Sequence, residues 1–170
     1  QSLQQHLPNA KFVDTTGLVN WQRGIKSETE IEYMRKAAKI VDRMHGVIAA
    51  KMEPGIRKCD IVADIFHTGI EGTPEYGGAA PHLTWDDAPM ETGAGTFFEI
   101  AGCYKRYHTP LSRTVFLGKP PQHIIDAEKS LLDGLQAGIE EAVAGNRACD
   151  IAHALAEELR KGKIERSARC

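Results

Sequence analysis

An α+β fold assembled as an internal duplication is the reading of this sequence, and three observations predict it. A capping box opens a long amphipathic segment at Ser27, and two strand-like segments rich in aromatic and β-branched residues lie between positions 96 and 116. The third observation is a repeat. Gly55-Ile56-Arg57-Lys58-Cys59-Asp60-Ile61-Val62-Ala63 returns ninety positions later as Gly145-Asn146-Arg147-Ala148-Cys149-Asp150-Ile151-Ala152-His153. Both copies follow a long helical pattern and open a short one, so the repeating unit is a helix, a second helix and strands.

Taken in order, Ala10-Lys11-Phe12-Val13-Asp14 alternates like a strand. In Ser27-Glu28-Thr29-Glu30 the Ser27 hydroxyl is placed to accept the Glu30 amide, and the Glu30 carboxylate to reach back. The helix that starts there carries Ile31, Met34, Ala38, Val41, His45 and Ile48 at steps of three and four, which draws one buried stripe. His45 on that stripe reads as a satisfied core histidine. Glu53-Pro54-Gly55 ends the helix, and a shorter one follows from about Cys59 to Ile70, with Asp60 near its amino end where a carboxylate suits the helix dipole. Thr96 to Ala101 and Tyr107 to Val115 read as adjacent antiparallel strands joined around Lys105-Arg106. Gly118-Lys119-Pro120-Pro121 breaks the sheet, Ile124, Ala127, Leu131, Leu135 and Ala142 mark a second long helix ending at Gly145, and a shorter helix follows from Asp150.

Composition excludes several classes. A formal net charge of -2 and a sequence pI near 6.4 give no basic field, and no Lys/Arg-rich block with interleaved aromatics could follow a phosphate backbone, so nucleic acid is not expected as a partner. No apolar run approaches the roughly 20 residues that span a bilayer, and a signal peptide is not seen, so the expected location is the cytoplasm and no membrane partner is expected. Cys59, Cys103, Cys149 and Cys170 form no C-x-x-C pair and suggest neither a zinc knuckle nor a disulfide framework. The chain opens at Gln1 and closes after a polar run. Together with the repeat, this predicts that a C-terminal half is missing.

The repeat, the link from Val19 to Glu32 and the strand segment Ser112-Arg113-Thr114-Val115-Phe116-Leu117-Gly118-Lys119-Pro120 resemble the pita-bread catalytic domain of the creatinase and prolidase superfamily, which includes the Xaa-Pro peptidases. The resemblance implies that residues 1–25 are the tail of a smaller N-terminal domain and its linker, and that residues 26–170 are the first part of the pita-bread domain. In the metallopeptidases of the superfamily, two carboxylates eleven positions apart on adjacent strands help bridge two metal ions. Here the first position is Glu99 and the second is Pro110, which cannot ligate a metal. The comparison therefore moves to creatinase, which acts without metal, and whose catalytic His lies seventeen positions before the equivalent of Glu99; that position is His82.

Three segments together, Ala80-Pro81-His82-Leu83-Thr84-Trp85, Phe98-Glu99-Ile100-Ala101-Gly102 and Arg106-Tyr107-His108-Thr109-Pro110-Leu111-Ser112-Arg113-Thr114, resemble the ectoine hydrolases of this superfamily, which open a cyclic amidine. Those hydrolases carry a longer segment between Gly77-Gly78 and Pro81-His82. The resemblance implies ectoine or hydroxyectoine as substrate, no cofactor, no metal and a homodimer. Glu99, flanked by Phe97 and Phe98, is the expected catalytic carboxylate, desolvated by its neighbours and acting either as nucleophile or as the base that activates water. His82 and His108 are candidates to protonate the departing nitrogen, the first favoured by its family position. Tyr107, Arg113 and Trp85 are candidates for binding substrate, with Arg106 or Arg113 holding its carboxylate through a bidentate fork. Two other classes stand beside this reading: a metal-dependent Xaa-Pro peptidase, which metal content would reveal, and a non-catalytic module, which binding without turnover would reveal.

Overall fold

The structure is a computed structural model and describes residues 2–72 and 86–164. Helices α1 (Ser2–His6) and α2 (Leu18–Gly24) precede the long α3 (Glu28–Lys51) and α4 (Lys58–Gly72). Strands β1 (Gly95–Tyr104) and β2 (Tyr107–Phe116) pair as a two-stranded sheet, followed by α5 (Gln122–Glu141) and α6 (Ala148–Lys161). This is the α+β order that the sequence predicts. The strand expected at residues 10–14 is not formed: that segment has no ladder partner among the described residues, and its side chains are exposed. Alternation alone does not hold a strand when nothing pairs with it.

Two compact units divide the chain: residues 1–52, 56–89 and 97–113 make the first, and residues 53–55, 90–96 and 114–170 the second. In the first unit α3 packs against α4, and Ala37, Ile40, Val41, Met44 and Ile48 of α3, Ile61 and Ile65 of α4, and Phe98 and Ile100 of β1 are buried. Val41 and Ile48 of the expected stripe are buried, while Ala37, Ile40 and Met44 are buried more deeply than Ala38 and His45, so the stripe is rotated from the one read. His45 is half-buried, and its Nε2–H donates to the Leu111 carbonyl at 3.1 Å, so it is satisfied within the core as expected.

Glu30 does more than close its capping box. Its Oε2 accepts the Ser27 amide at 2.7 Å and the Ser27 hydroxyl at 2.8 Å, while Oε1 accepts the Tyr107 hydroxyl at 2.7 Å. The Ser27 amide first, then the Tyr107 and Ser27 hydroxyls, hold its carboxyl down to about 2. Tyr33 of α3 lies between the rings of Tyr104 and Tyr107, each 5.6 Å away, and Lys105 Nζ stands 5.1 Å from the Tyr33 ring. The hairpin tip is thus fastened to the first turns of α3.

In the second unit α5 packs on α6 at its small residues: Gly134 lies against Leu155 and Glu158, and Gly138 against Ile151. The ninety-position repeat is reproduced in the structure. The helices α3 and α5 end at Lys51 and Glu141, and α4 and α6 begin at Lys58 and Ala148, each pair ninety apart. Arg57 Nη2 meets Asp60 Oδ1 at 2.7 Å, and Arg147 Nη2 meets Asp150 Oδ1 at 2.8 Å. Gly55 and Gly145 both hold positive φ, 90° and 99°, the left-handed turn for which glycine carries no Cβ penalty.

Candidate active site

The site is set by the register of one hairpin. Lys105 and Arg106 have φ of 46° and 68°, so both central residues of a two-residue turn are left-handed, as a type I′ turn requires. That turn pairs Tyr104 with Tyr107. Counting back along each strand, Gly102 faces Thr109, Ala101 faces Pro110, Ile100 faces Leu111 and Glu99 faces Ser112. Alternate residues then share a face.

One face belongs to α3. Phe98 and Ile100 are buried on it, Thr109 donates to the Met34 carbonyl at 3.0 Å, and a Cβ on Gly102 would run into the Ala37 carbonyl. The opposite face carries Glu99, Ala101 and Cys103 from β1 with Ser112, Pro110 and His108 from β2. Glu99, Ser112, Pro110 and His108 are exposed there, while Ala101 and Cys103 are buried. Within the described residues, then, Glu99 does not have the buried surroundings expected for it. Phe97 shares its face but is 56% exposed, and Phe98 is turned to the other side.

The candidate residues separate on this geometry. Glu99 and His108 share a face, but His108 lies opposite Cys103, four residues along, a distance of about 14 Å at the rise of an antiparallel strand. That is beyond direct proton transfer, and His108 Nδ1 lies 3.2 Å from the Arg106 carbonyl. Tyr107 and Arg113 have the parity of the α3 face. Tyr107 is engaged with Glu30, and Arg113 Nη1 donates to the Ser112 carbonyl at 2.9 Å, so the hairpin does not bring either beside Glu99. His82 and Trp85 lie outside the described residues. Ser112 is the residue that sequence reading passed over. The two-residue turn at Lys105-Arg106 was the signal that would have found it, because it fixes which residue faces Glu99.

Pro110 falls where the ladder tolerates it. Pairs alternate from the turn, so the Ala101–Pro110 pair is one that exchanges no backbone hydrogen bonds, and the missing N–H costs β1 nothing. For a metal centre the consequence is different. Beside Glu99 on its face stand Ser112, Ala101 and Pro110, with no second carboxylate, and among the described residues no group of three His, Cys, Asp or Glu side chains is gathered for a metal ion. The hairpin does not fit a carboxylate-bridged metal pair.

Comparison with known proteins agrees with this fold. The chain is 50% identical to the ectoine hydrolase of Halomonas elongata over its whole length and 48% of that protein. The alignment spans 191 positions, 21 more than this chain has residues (191 − 170), in keeping with a segment shorter than in that hydrolase. An uncharacterised hydrolase/peptidase of Sinorhizobium fredii is 39% identical over 81% of the chain and 41% of its own length. Among solved structures, the X-Pro aminopeptidase of Thermotoga maritima superposes with a TM-score of 0.85 at 20% identity, covering 95% of this chain and 49% of that one. The prolidase of Pyrococcus furiosus superposes with a TM-score of 0.79 at 20% identity, over 88% of this chain and 48% of that one. The chain spans about half the length of the relatives it matches, and no described helix is long and apolar enough to cross a membrane. The elements are part of a pita-bread fold, and residues 32–169 match the model of metallopeptidase family M24. The chain belongs to metallopeptidase family M24.

Proposed function

We propose that the protein carrying this chain is a hydrolase that opens the cyclic amidine ring of ectoine without a metal ion. The observation that carries the reading is the 50% identity to the Halomonas elongata ectoine hydrolase along the whole chain. The hairpin supports it: Glu99 stands exposed on a face whose neighbouring position is Pro110, so a carboxylate is kept while a metal bridge is not. Ectoine carries its positive charge on the carbon between two nitrogens. Water adds at that carbon, one ring C–N bond breaks, the departing nitrogen takes a proton, and the sum of substrate and water is N-acetylated diaminobutyrate. An anion aimed at the amidinium carbon stabilises both the bound cation and the attack upon it. Glu99 supplies that anion, either bonding to the carbon itself or taking a proton from the attacking water. His82 is the proposed proton donor, with Trp85 beside the substrate. His108 at the hairpin tip has a place in the site only if substrate extends along the strand. We further read residues 1–25 as the tail of an N-terminal domain and residues 26–170 as the first part of the catalytic domain, in a cytoplasmic homodimer acting on ectoine or hydroxyectoine.

A second reading is favoured by the family's metallopeptidase name and by the peptidases among its structural neighbours: metal-dependent cleavage of Xaa-Pro bonds. One experiment separates the two. The protein is incubated with ectoine, with and without a strong chelator, and the ring carbon is followed by NMR. Ring opening that survives chelation and vanishes in Glu99→Ala is the expected result. Silence with ectoine, together with chelator-sensitive cleavage of an Xaa-Pro dipeptide, would install the peptidase reading instead.

A further inference from the structure

Resting on the reading of residues 26–170 as the first part of a longer catalytic domain, we propose that the aliphatic face of α5 is covered by a second antiparallel hairpin, supplied by the same polypeptide beyond residue 170. The face is extensive. Ile124, Leu131, Leu132, Leu135, Ile139 and Val143 are each between 39% and 57% exposed. On a helical projection they fall within a sector of about 120°, turned away from the Gly134 and Gly138 side that packs on α6. A contiguous apolar stripe of this size marks a contact surface rather than a solvated face.

The ninety-residue repeat identifies the cover. Ile124, Leu131 and Leu135 stand ninety positions after Met34, Val41 and His45 of α3. All three of those residues lie under the β1–β2 hairpin. The Thr109 hydroxyl donates to the Met34 carbonyl at 3.0 Å, a Cβ on Gly102 would stand 2.8 Å from the Val41 amide nitrogen, and His45 Nε2 reaches the Leu111 carbonyl at 3.1 Å. In the first copy, then, two antiparallel strands of the same chain close this row of the long helix. The equivalent strands of the second copy would fall ninety positions beyond β1 and β2, past residue 170. The Halomonas elongata hydrolase has length for them, since this chain covers 48% of it. Because the row on α3 is closed within one chain, the repeat favours a segment of the same polypeptide over a second copy.

The side chains also say how that hairpin is held. Leu135 replaces His45 and has no donor for a strand carbonyl, so burial of aliphatic surface takes over from the hydrogen bond. Ile125, Leu132 and Ile139 stand where α3 has the exposed Arg35, Asp42 and Ala49, so the cover reaches further around α5 than β1–β2 reaches around α3.

The test uses the full-length protein with Leu135→p-benzoylphenylalanine, illuminated and mapped by mass spectrometry. The expected adduct joins position 135 to a strand-like peptide beyond residue 170 of the same polypeptide, in a yield that dilution does not change. An adduct between two copies, lost on dilution, overturns the proposal in favour of a subunit interface. An adduct with residues 1–164 overturns it as well. Carbene footprinting of the unmodified full-length protein guards against a variant that does not fold: labelling of Leu131, Leu132 and Leu135 is expected roughly five-fold or more below that of the denatured protein, and equal labelling overturns the proposal. A full-length protein with too few residues past 170 for two strands would sink the partial-domain reading itself, whereas an adduct elsewhere in a longer protein sinks this hairpin alone.

Discussion

Gly102→Ala is the substitution through which the fold and the proposed chemistry are most directly linked. Gly102 lies on the α3 face of β1, three residues from Glu99, and a Cβ placed there would stand 2.8 Å from the Val41 amide nitrogen and nearer still to the Ala37 carbonyl oxygen. Both obstacles are backbone of α3 and cannot rotate away. The strand must retreat, and overpacking of this sort costs about 1–3 kcal/mol, more where the obstacle is rigid. At roughly 2–4 °C per kcal/mol for a chain of this size, the melting temperature should fall by about 2–12 °C. A retreat of about 1 Å at the base of Glu99 should lower the rate of ring opening by roughly 10²-fold. The assay pairs a thermal melt with the NMR rate on ectoine, and Gly46→Ala serves as the internal control. Gly46 sits in the middle of α3 with nothing within 4 Å of an added Cβ, so its substitution should raise stability by about 0.5–1 kcal/mol and leave the rate unchanged. A Gly102→Ala protein that melts and turns over like the unmodified one would refute the close packing of β1 on α3.

Other consequences follow from the same structure. Glu30 is held at about 2 in the folded chain against an ordinary value of 4.5, so its contribution to stability is complete above pH 4.5 and is lost as pH falls through about 2. Melting temperatures of Glu30→Gln and the unmodified protein should therefore differ most at neutral pH and converge toward pH 2; a gap that is constant with pH would contradict the role of the carboxylate. Ile61 is fully buried between α4 and α3, and Ile61→Ala should cost about 2–5 kcal/mol in denaturant unfolding. Pro110→Asp should leave the β1–β2 ladder intact, since position 110 lies in a pair without backbone hydrogen bonds, and circular dichroism and melting should change little. Calorimetry should then show a divalent ion bound more tightly by Pro110→Asp than by the unmodified protein.

How much of this could be read from the sequence depended on how local the cause was. The capping box at Ser27 and Glu30, the two long helices and the short helices opened by the repeat are set by residues within a few positions of one another, and each appeared close to where the pattern placed it, the second long helix ending at Glu141 rather than at Gly145. The ends of α3 and α5 are set by the same local signals, and they keep the ninety-residue spacing. What failed depended on partners. Residues 10–14 alternate well enough to be a strand but have no ladder partner among the described residues. The stripe of α3 was read through Ala38 and His45 because periodicity alone does not say which of two adjacent apolar rows faces the sheet. Val41 and Ile48 belong to the buried row as read, and the approach of Gly102 to the Ala37 carbonyl brings Ala37 into it. Tyr107 was read for its chemistry, whereas its hydroxyl is engaged with a glutamate 77 positions earlier, a pairing no local pattern contains.

The same distinction governs the site. Glu99 was read from its family position and His108 from the chemistry of its side chain, and a few positions across a turn grow into distance along a strand: His108 is near the turn and Glu99 is not. The register that separates them also supplies a neighbour for Glu99, and it comes from two residues that carry no chemistry in the site. Lys105 and Arg106 hold left-handed backbone at a cost of roughly 1–2 kcal/mol each, which only a closely defined turn would impose. Tyr33 and Lys105 offset part of that cost by fastening the tip to α3. Inserting one glycine between Lys105 and Arg106 would relax the turn and slip the pairing by a residue, moving Ser112 to the α3 face while Glu99 stays where it is. The same slip would carry Tyr107, Thr109 and Leu111 away from Glu30, Met34 and His45, so the insertion should lower the melting temperature, and a melt equal to that of the unmodified protein would refute the register set by this turn.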